Sequence, residues 1–296
     1  MTDAAAGRSP ALTEPPRSKA GLREAVASEW TKFRTMRSTW VCLIVMTVVG
    51  IGLSVLILAI EASQWAHLGS TERGSFDQTT FSSIGVLLVG EVVVGVLGAL
   101  IVTAEYGSGA MRNTLSCMPR RTTVLAAKSI VVVAVVVIVS EVVLFASFFI
   151  GQLVLAASGS KPLPAGSTLA DQVHAAAVPI VGIGHPGTTR TLVLIGLFLA
   201  LMAGVSCSIG FLVRSTAGTV AIVVALLLVI PNIVGLFPHS ISRALERFLP
   251  DGLLGQMLAT APKASNFSPG VATAILVGYT VVLAVVAGWV LVHRDA

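Results

Sequence analysis

Long apolar runs alternate with polar segments along most of this chain. Six runs of about 20 residues or more contain at most two charged residues each, and about 20 apolar residues at 1.5 Å rise cross a bilayer core. The runs cover residues 40–60, 84–103, 128–155, 191–211, 217–237 and 271–292. We therefore predict an all-α polytopic membrane protein with six transmembrane helices.

The segment before the first run, residues 21–39, has a different pattern. Leu22, Val26, Trp30 and Phe33 recur at the spacing of one helix face, and basic residues surround them. This pattern predicts an amphipathic helix that lies in the membrane interface, with its tryptophan at headgroup level. A solvated juxtamembrane helix is the alternative.

Composition supports the membrane assignment, because 55% of the residues are hydrophobic, only 11% are charged and the mean hydropathy is +0.91. Soluble domains carry about 25% charged residues. Residues 40–296 are thus predicted to form one six-span transmembrane domain. Residues 1–20 lack periodic apolar positions and are predicted to be a disordered tail. The net charge of +5 is read as a signal of topology, and we assign no nucleic-acid partner.

The distribution of basic residues predicts the orientation. With six spans, 13 of the 19 lysines and arginines fall on the side of the N-terminus. The other side has Arg73, Lys161, Arg190, Arg243, Arg247 and Lys263. Because basic residues accumulate in cytoplasmic loops, both termini are predicted to be cytoplasmic.

A basic segment between the second and third runs is long enough for a short helix over residues 108–116. Pro119 marks its end, since a proline disfavours helix at the preceding residue. Arg112 projects away from the apolar face, which is formed by Met111, Leu115 and Met118. We predict a cytoplasmic coupling helix contacted by a partner protein. An ordinary basic loop is the alternative.

The segments on the other side differ in character. Residues 238–270 contain two short amphipathic stretches, which predict short external helices between spans five and six, whereas residues 156–190 match no pattern. Pro231 is expected to kink span five. Small residues predict close helix contacts in spans two and four, at Gly95, Ala99 and Gly204.

Two carboxylates, Glu91 and Glu141, lie inside predicted spans, each about 20 Å from the cytoplasmic end at 1.5 Å per residue. An acidic residue at a span centre costs about 2.5–3.5 kcal/mol on insertion scales. They are therefore candidates for the translocation path, with protonated packing residues as the alternative. The cysteines and histidines show no ligand spacing, so we predict no metal, and no catalytic constellation is found.

Several motifs together resemble one family. The segment SEWTKFRTMRSTW precedes span one, AEYGSGAMRNTL follows span two, and CMPRR with AAKSI leads into span three. With the short helices between spans five and six, these features resemble the permease subunits of ABC type-2 exporters, in particular the actinobacterial type. The resemblance covers about residue 20 to the C-terminus.

The resemblance implies a division of labour. Permeases of this kind carry no nucleotide-binding domain, and the chain has no phosphate-binding loop of the GxxxxGK[ST] type. It is thus expected not to be an enzyme and to hold no cofactor, with ATP bound by a separate ATPase subunit. The resemblance assigns ATPase coupling to Trp30, Phe33, Glu105, Tyr106, Arg112 and Pro119.

The resemblance also implies a second permease subunit, in a homodimer or a heterodimer, with the path between the two. The alternative function is a secondary transporter driven by ions or protons, for which Glu91 and Glu141 are the supporting observation. The substrate cannot be read from apolar spans.

Overall fold

The computed structural model describes residues 21–118, 120–164, 167, 169–259 and 266–293. The predicted disordered tail and Pro119 lie outside these residues. Within them the chain is almost entirely helical. Its helices are α1 (Leu22–Thr35), α2 (Arg37–Gln64), α3 (Ser70–Ser75), α4 (Gln78–Phe81), α5 (Ile84–Gly107), α6 (Ala110–Cys117), α7 (Arg121–Ala157), α8 (Thr188–Val213), α9 (Thr216–Val224), α10 (Ile230–Val234), α11 (His239–Glu246), α12 (Pro250–Leu258) and α13 (Pro269–His293).

Six segments of the described chain are long and apolar enough to cross a membrane, which confirms the predicted fold class. They are Arg37–His67, Ile84–Gly107, Arg121–Ala157, Thr188–Val213, Thr216–Val234 and Pro269–His293. The short helices α6, α11 and α12 occur where the sequence predicts them.

Two helix boundaries differ from the prediction. Helix α7 begins at Arg121, about two turns before the apolar run, so Lys128 lies inside the helix and not at its start. Helix α1 ends at Thr35, and Met36 adopts an extended conformation before α2 begins. A hydropathy pattern detects only the apolar part of a helix, and it misses polar turns that extend the helix.

Helices α5 and α8 form the centre of the bundle. In the most apolar stretch of α8, 83% of the residues are buried, against 22% in α2, α13 and span five. The central pair packs closely, because a Cβ at Gly98 would lie 2.5 Å from the carbonyl oxygen of Ala203. The predicted contacts at Gly95 and Gly204 are also present, against Val223 and Thr280.

Span five is interrupted in the middle. A π turn, Ala225–Val229, separates α9 from α10, and the amide of Ile230 bonds to the carbonyl of Ala225. Pro231 follows directly. Proline lacks an amide hydrogen and clashes with the carbonyl four residues earlier, so a widened turn at this point relieves the conflict.

Contacts between helix ends define two ends of the bundle. Arg121 donates a hydrogen bond to the carbonyl of Leu291 (2.9 Å), and the hydroxyls of Thr103 and Thr216 are 2.7 Å apart. The start of α7, the end of α5, the α8–α9 junction and the end of α13 thus share one end with α1 and α6. We call it the elbow end.

At the far end, the segment after α7 folds back onto the α3–α4 connection. The indole nitrogen of Trp65, whose side chain is fully buried, donates to the carbonyl of Ala175 (2.9 Å). The side-chain amide of Gln78 donates to that of Gln172 (2.6 Å), which in turn donates to the carbonyl of Phe76 (2.6 Å). The segment 156–190, which matched no sequence pattern, therefore forms part of a packed cap.

Candidate functional site

Helix α1 is attached to the start of α7 by a face that the sequence only partly predicts. Its buried residues are Ala25, Glu29 and Phe33, whereas Leu22 and Trp30 are exposed. Of the stripe predicted to lie in the membrane interface, Leu22 and Trp30 are thus exposed and Phe33 is buried. The face that packs into the bundle is a second one, with Ala25, Glu29 and Phe33. The reason is electrostatic: Glu29 has ionic partners inside the bundle, and α1 is rotated to bring it there.

Lys128 of α7 is at the centre of these partners. Its side chain is 1% exposed, and Nζ lies 2.6 Å from Glu29 Oε2 and 2.7 Å from Glu105 Oε1. It also donates to the carbonyl of Ile101 (3.3 Å). One ammonium group therefore connects α1, α5 and α7.

Lys32 of α1 pairs with the same two carboxylates from the more exposed side of the cluster. Its Nζ lies 2.8 Å from Glu29 Oε1 and 2.9 Å from Glu105 Oε1. Burial lowers the pKa of Lys32, but hydrogen bonds to Glu105 and Glu29 outweigh it and raise the pKa above its ordinary value. Lys32 is thus positively charged throughout the physiological pH range.

Helix α6 joins the same network through Thr114. Its hydroxyl donates to Glu105 Oε2 (3.4 Å) and lies 3.5 Å from Lys32 Nζ. We name the residues Glu29, Lys32, Glu105 and Lys128 the elbow cluster. Four ion pairs join these residues.

The elbow cluster is balanced and nearly closed. Two carboxylates face two ammonium groups, and the cavity beside them has a volume of about 10 Å³. That is room for one water at most. The cluster therefore works as a joint between helices and offers no space for a transported molecule.

Of the residues assigned to ATPase coupling, Glu105 is in this cluster and its neighbour Tyr106 lies beside it. The guanidinium carbon of Arg214 lies 5.2 Å from the centre of the Tyr106 ring. The Tyr106 hydroxyl is buried and has no hydrogen-bond partner among the described residues. Both side chains are thus largely enclosed, which favours a role in holding helices together over direct contact with another protein.

Helix α6 presents the exposed part of this end. It begins after Gly109, whose φ of +73° places it in the left-handed region, and its apolar side is anchored by the buried Met111. Arg112 is exposed on the opposite side. Pro119 lies outside the described residues, so its part in the coupling assignment stays a prediction.

The two aromatic residues of α1 have separate environments. Phe33 is buried in the core, and the Trp30 ring is stacked on it with centroids 6.3 Å apart. Trp30 is 44% exposed and lines an apolar groove against α7. Exposed tryptophan on an apolar edge is typical of a residue at the membrane interface.

The structure does not join Glu91 and Glu141. Glu91 is buried in α5, where the nearest interacting charge is Asp251 of α12. Glu141 packs against Gly196 of α8, where a Cβ would lie 2.3 Å from Glu141 Oε1. Its Oε2 is buried without a hydrogen-bond partner among the described residues. The two carboxylates therefore occupy separate environments.

Sequence reasoning missed the roles of Glu29 and Lys32. The resemblance assigns a role to neither residue, although both belong to the SEWTKFRTMRSTW segment. A signal is present, because Glu29 lies four residues from both Ala25 and Phe33 on one helix face, and an acidic residue on a buried face needs a partner. The partner could not be named without the packing of α1 on α7.

Six apolar spans, an amphipathic helix before the first and a helix between the second and third define a polytopic integral membrane protein of the transporter class. A family model described as "ABC-2 family transporter protein" matches residues 25–183, more than half of the chain. The protein belongs to this family and is a membrane permease component of an ABC transporter. No curated protein matches the chain.

The family match covers α1 to the far-end segment after α7, and thus contains the whole elbow cluster. Permeases of this family typically work with an ATPase partner. Residues 184–296, which contain spans four to six, lie outside the match.

Proposed function

We propose that this permease is part of an exporter, that it couples to a separate ATPase through α1 and α6, and that it forms the translocation path with a second permease. The observation that carries the proposal is the elbow cluster. It connects the two surface helices directly to α5 and α7, which are membrane spans.

The cluster supports coupling because it resists being pulled apart. Breaking a buried ion pair by removing one partner costs about 3–5 kcal/mol. A displacement of α1 by a bound ATPase would therefore carry α5 and α7 with it, since separating the charges is costlier than moving the helices together. Helix α6 is joined to the cluster by the hydrogen bond from Thr114 to Glu105.

The surface available to the ATPase is the exposed side of α6. Arg112 and Asn113 are exposed there, while Thr114 on the other side reaches the cluster. A contact made at Arg112 is thus one helix width from Glu105. The basic residues concentrated at this end support a cytoplasmic position for it under the positive-inside rule, on the side where ATP is available.

A second permease subunit fits the low burial of α2, span five and α13. Their exposed apolar faces are available to lipid and to another subunit, and both homodimer and heterodimer agree with them. Glu91 and Glu141 remain the candidates for the path. Membership of an ABC family supports an ATP-driven permease over the ion-driven alternative.

The experiment tests Arg112→Glu with Lys161→Glu as the matched control. Both reverse one exposed positive charge, but Lys161 lies at the far end. We expect Arg112→Glu to reduce co-purification with the cognate ATPase and to abolish ATP-dependent transport in inverted vesicles, while Lys161→Glu leaves both unchanged.

Normal ATPase association and transport in Arg112→Glu would remove this residue from the proposal. Transport that persists without ATP hydrolysis and stops when the ion gradient is collapsed would support the secondary transporter instead.

A further inference from the structure

The segment after span five carries a second group of basic residues, away from the elbow cluster. Span five starts at the elbow end, where Thr216 meets Thr103, and crosses the bundle to its far end. Helix α11 follows immediately after α10. It therefore lies at the membrane surface opposite to α1 and α6.

A cavity of about 320 Å³ opens beside α11. Among the described residues its lining consists of Ser240, Arg243, Ala244, Arg247 and Asn266, and none of these is a carboxylate. Two arginines and a hydroxyl at one cavity give many hydrogen-bond donors and a positive potential. Such a lining is suited to an anion.

The guanidinium of Arg247 is held in place by aromatic rings. Its central carbon lies 4.9 Å from the ring centre of Phe248 and 5.5 Å from that of Phe267. Its Nε is buried and has no hydrogen-bond partner among the described residues. Since an unsatisfied buried donor is costly, this group is prepared for a ligand that the described residues do not supply.

Neither arginine forms an ion pair with a carboxylate of the described residues. Arg243 donates through Nε to the carbonyl of His239 (3.2 Å), and no ion pair of the described residues includes Arg243 or Arg247. The acidic residue on the same helix, Glu246, accepts a hydrogen bond from Ser242 instead. Two positive charges at this cavity thus lack internal compensation.

Apolar side chains of α11 and of the residues that flank it are exposed. Ile241, Leu245 and Phe248 are 48%, 46% and 42% exposed, and Leu236 just before the helix is 85% exposed. A helix with an exposed apolar side and basic residues lies in the bilayer interface, with its charges at headgroup level. The cavity is therefore where lipid phosphate groups are found.

We propose that this cavity binds the phosphate of an anionic phospholipid from the leaflet at the far end. Guanidinium groups bind phosphate oxygens in bidentate fashion, and the exposed side chains of α11 are positioned to contact acyl chains. Two uncompensated positive charges favour a headgroup with a net negative charge over a zwitterionic one.

The test measures anisotropy of fluorescent phosphatidylglycerol on the purified protein in detergent. Unlabelled phosphatidylglycerol, phosphatidylcholine with the same chains, and inorganic phosphate serve as competitors. We expect phosphatidylglycerol to compete best and inorganic phosphate not to compete. Arg243→Gln and Arg247→Gln should each weaken binding about tenfold, the loss of one charge-assisted hydrogen bond.

Matched variants keep the result interpretable. Arg247→Lys keeps the charge and should bind with intermediate affinity, which also shows that the site is folded. Lys161→Gln removes a positive charge elsewhere at the far end and should bind like the wild type. Equal competition by phosphatidylcholine, displacement by inorganic phosphate at the same concentrations, or unchanged binding in Arg247→Gln would each overturn the proposal.

Discussion

Lys128 neutralises two buried carboxylates at once, so its removal should have a large effect. Lys128→Met fills similar space but leaves Glu29 and Glu105 with Lys32 alone. We expect a loss of about 3–5 kcal/mol in stability, measured by thermal unfolding in detergent, because uncompensated buried charge is costly.

The control for this substitution is Lys161→Met, which removes an exposed lysine at the far end and should unfold like the wild type. Adding Glu29→Gln to Lys128→Met should recover part of the loss, since one unpaired carboxylate is removed. A Lys128→Met variant as stable as the wild type would show that the cluster does not hold α1 in place.

A second prediction at the scale of single residues concerns the intramembrane carboxylates. If Glu91 and Glu141 line the translocation path, Glu91→Gln and Glu141→Gln should lower the transport rate and change its dependence on pH between about 6 and 8, without loss of folding. Glutamine keeps shape and hydrogen bonding but cannot ionise. The measurement is transport by reconstituted protein with its ATPase.

Wild-type transport by both glutamine variants across that pH range would identify the carboxylates as packing residues. Gly196→Ala offers an independent check on Glu141, because the added Cβ would displace its carboxylate. A defect in Gly196→Ala that Glu141→Gln does not share would be a packing effect.

At the scale of single residues, the sequence predicts which segments are important more reliably than it predicts the contacts that their residues make. Glu105 and Lys128 belong to segments that carry the family resemblance, but their pairing depends on a close approach of α5 and α7. Glu29 also belongs to such a segment, SEWTKFRTMRSTW, but nothing in that motif names its partner. Its role depends on the packing of α1 on α7, because the face that contains Glu29 is buried there.

Among the elements, α6 depends on the turn that precedes it. Gly109 has a φ of +73°, whereas Gly107 is the last residue of helix α5, and a Cβ at either position meets no atom. Gly109→Ala should therefore cost about 1–2 kcal/mol of local strain, while Gly107→Ala costs none. We expect only Gly109→Ala to weaken ATPase association.

The pair isolates backbone conformation, since both variants add one methyl group in open space. Association would be measured by co-purification, with the amount of inserted permease as reference. Equal association in Gly109→Ala and Gly107→Ala would mean that α6 adopts its position regardless of the turn.

Element boundaries show the limit of hydropathy. The six runs locate the spans because lipid demands uninterrupted apolar helix, yet α7 extends seven residues further towards its start. Their first turn is polar, with Arg121, Thr122 and Thr123, and the residues remain helical because α1 and α13 pack nearby. The apolar content of a segment therefore indicates which residues lie in lipid, but it does not indicate where the helix begins and ends.

For the whole molecule, the prediction concerns orientation. In a variant without native cysteines, Ser70→Cys at the far end should react with an impermeant thiol reagent added to intact cells, and Ser108→Cys at the elbow end should not. Both serines are exposed, so access to the outside is the variable. Labelling of Ser108→Cys in intact cells would invert the assignment.

The arrangement of the bundle was less predictable than its topology. All six runs are comparably apolar, yet α8 is central and α2 is peripheral. The distinction comes from close contacts such as Gly98 on Ala203, where a few small residues decide which helices approach. The sequence does not predict the far-end cap, because the cap depends on hydrogen bonds of Trp65 and Gln172 with residues that are distant in sequence.

The π turn in span five has a consequence for insertions and deletions. A π turn is equivalent to one extra residue in an α-helix, so the faces of α9 and α10 are already offset by that residue. Deleting one residue from Ala225–Val229, together with Pro231→Ala, should yield a continuous helix whose two halves keep their present neighbours. The same deletion in the middle of α8 would rotate half of the most buried span by about 100° and should abolish insertion. We therefore expect this protein to tolerate a one-residue deletion inside a membrane span at the π turn Ala225–Val229.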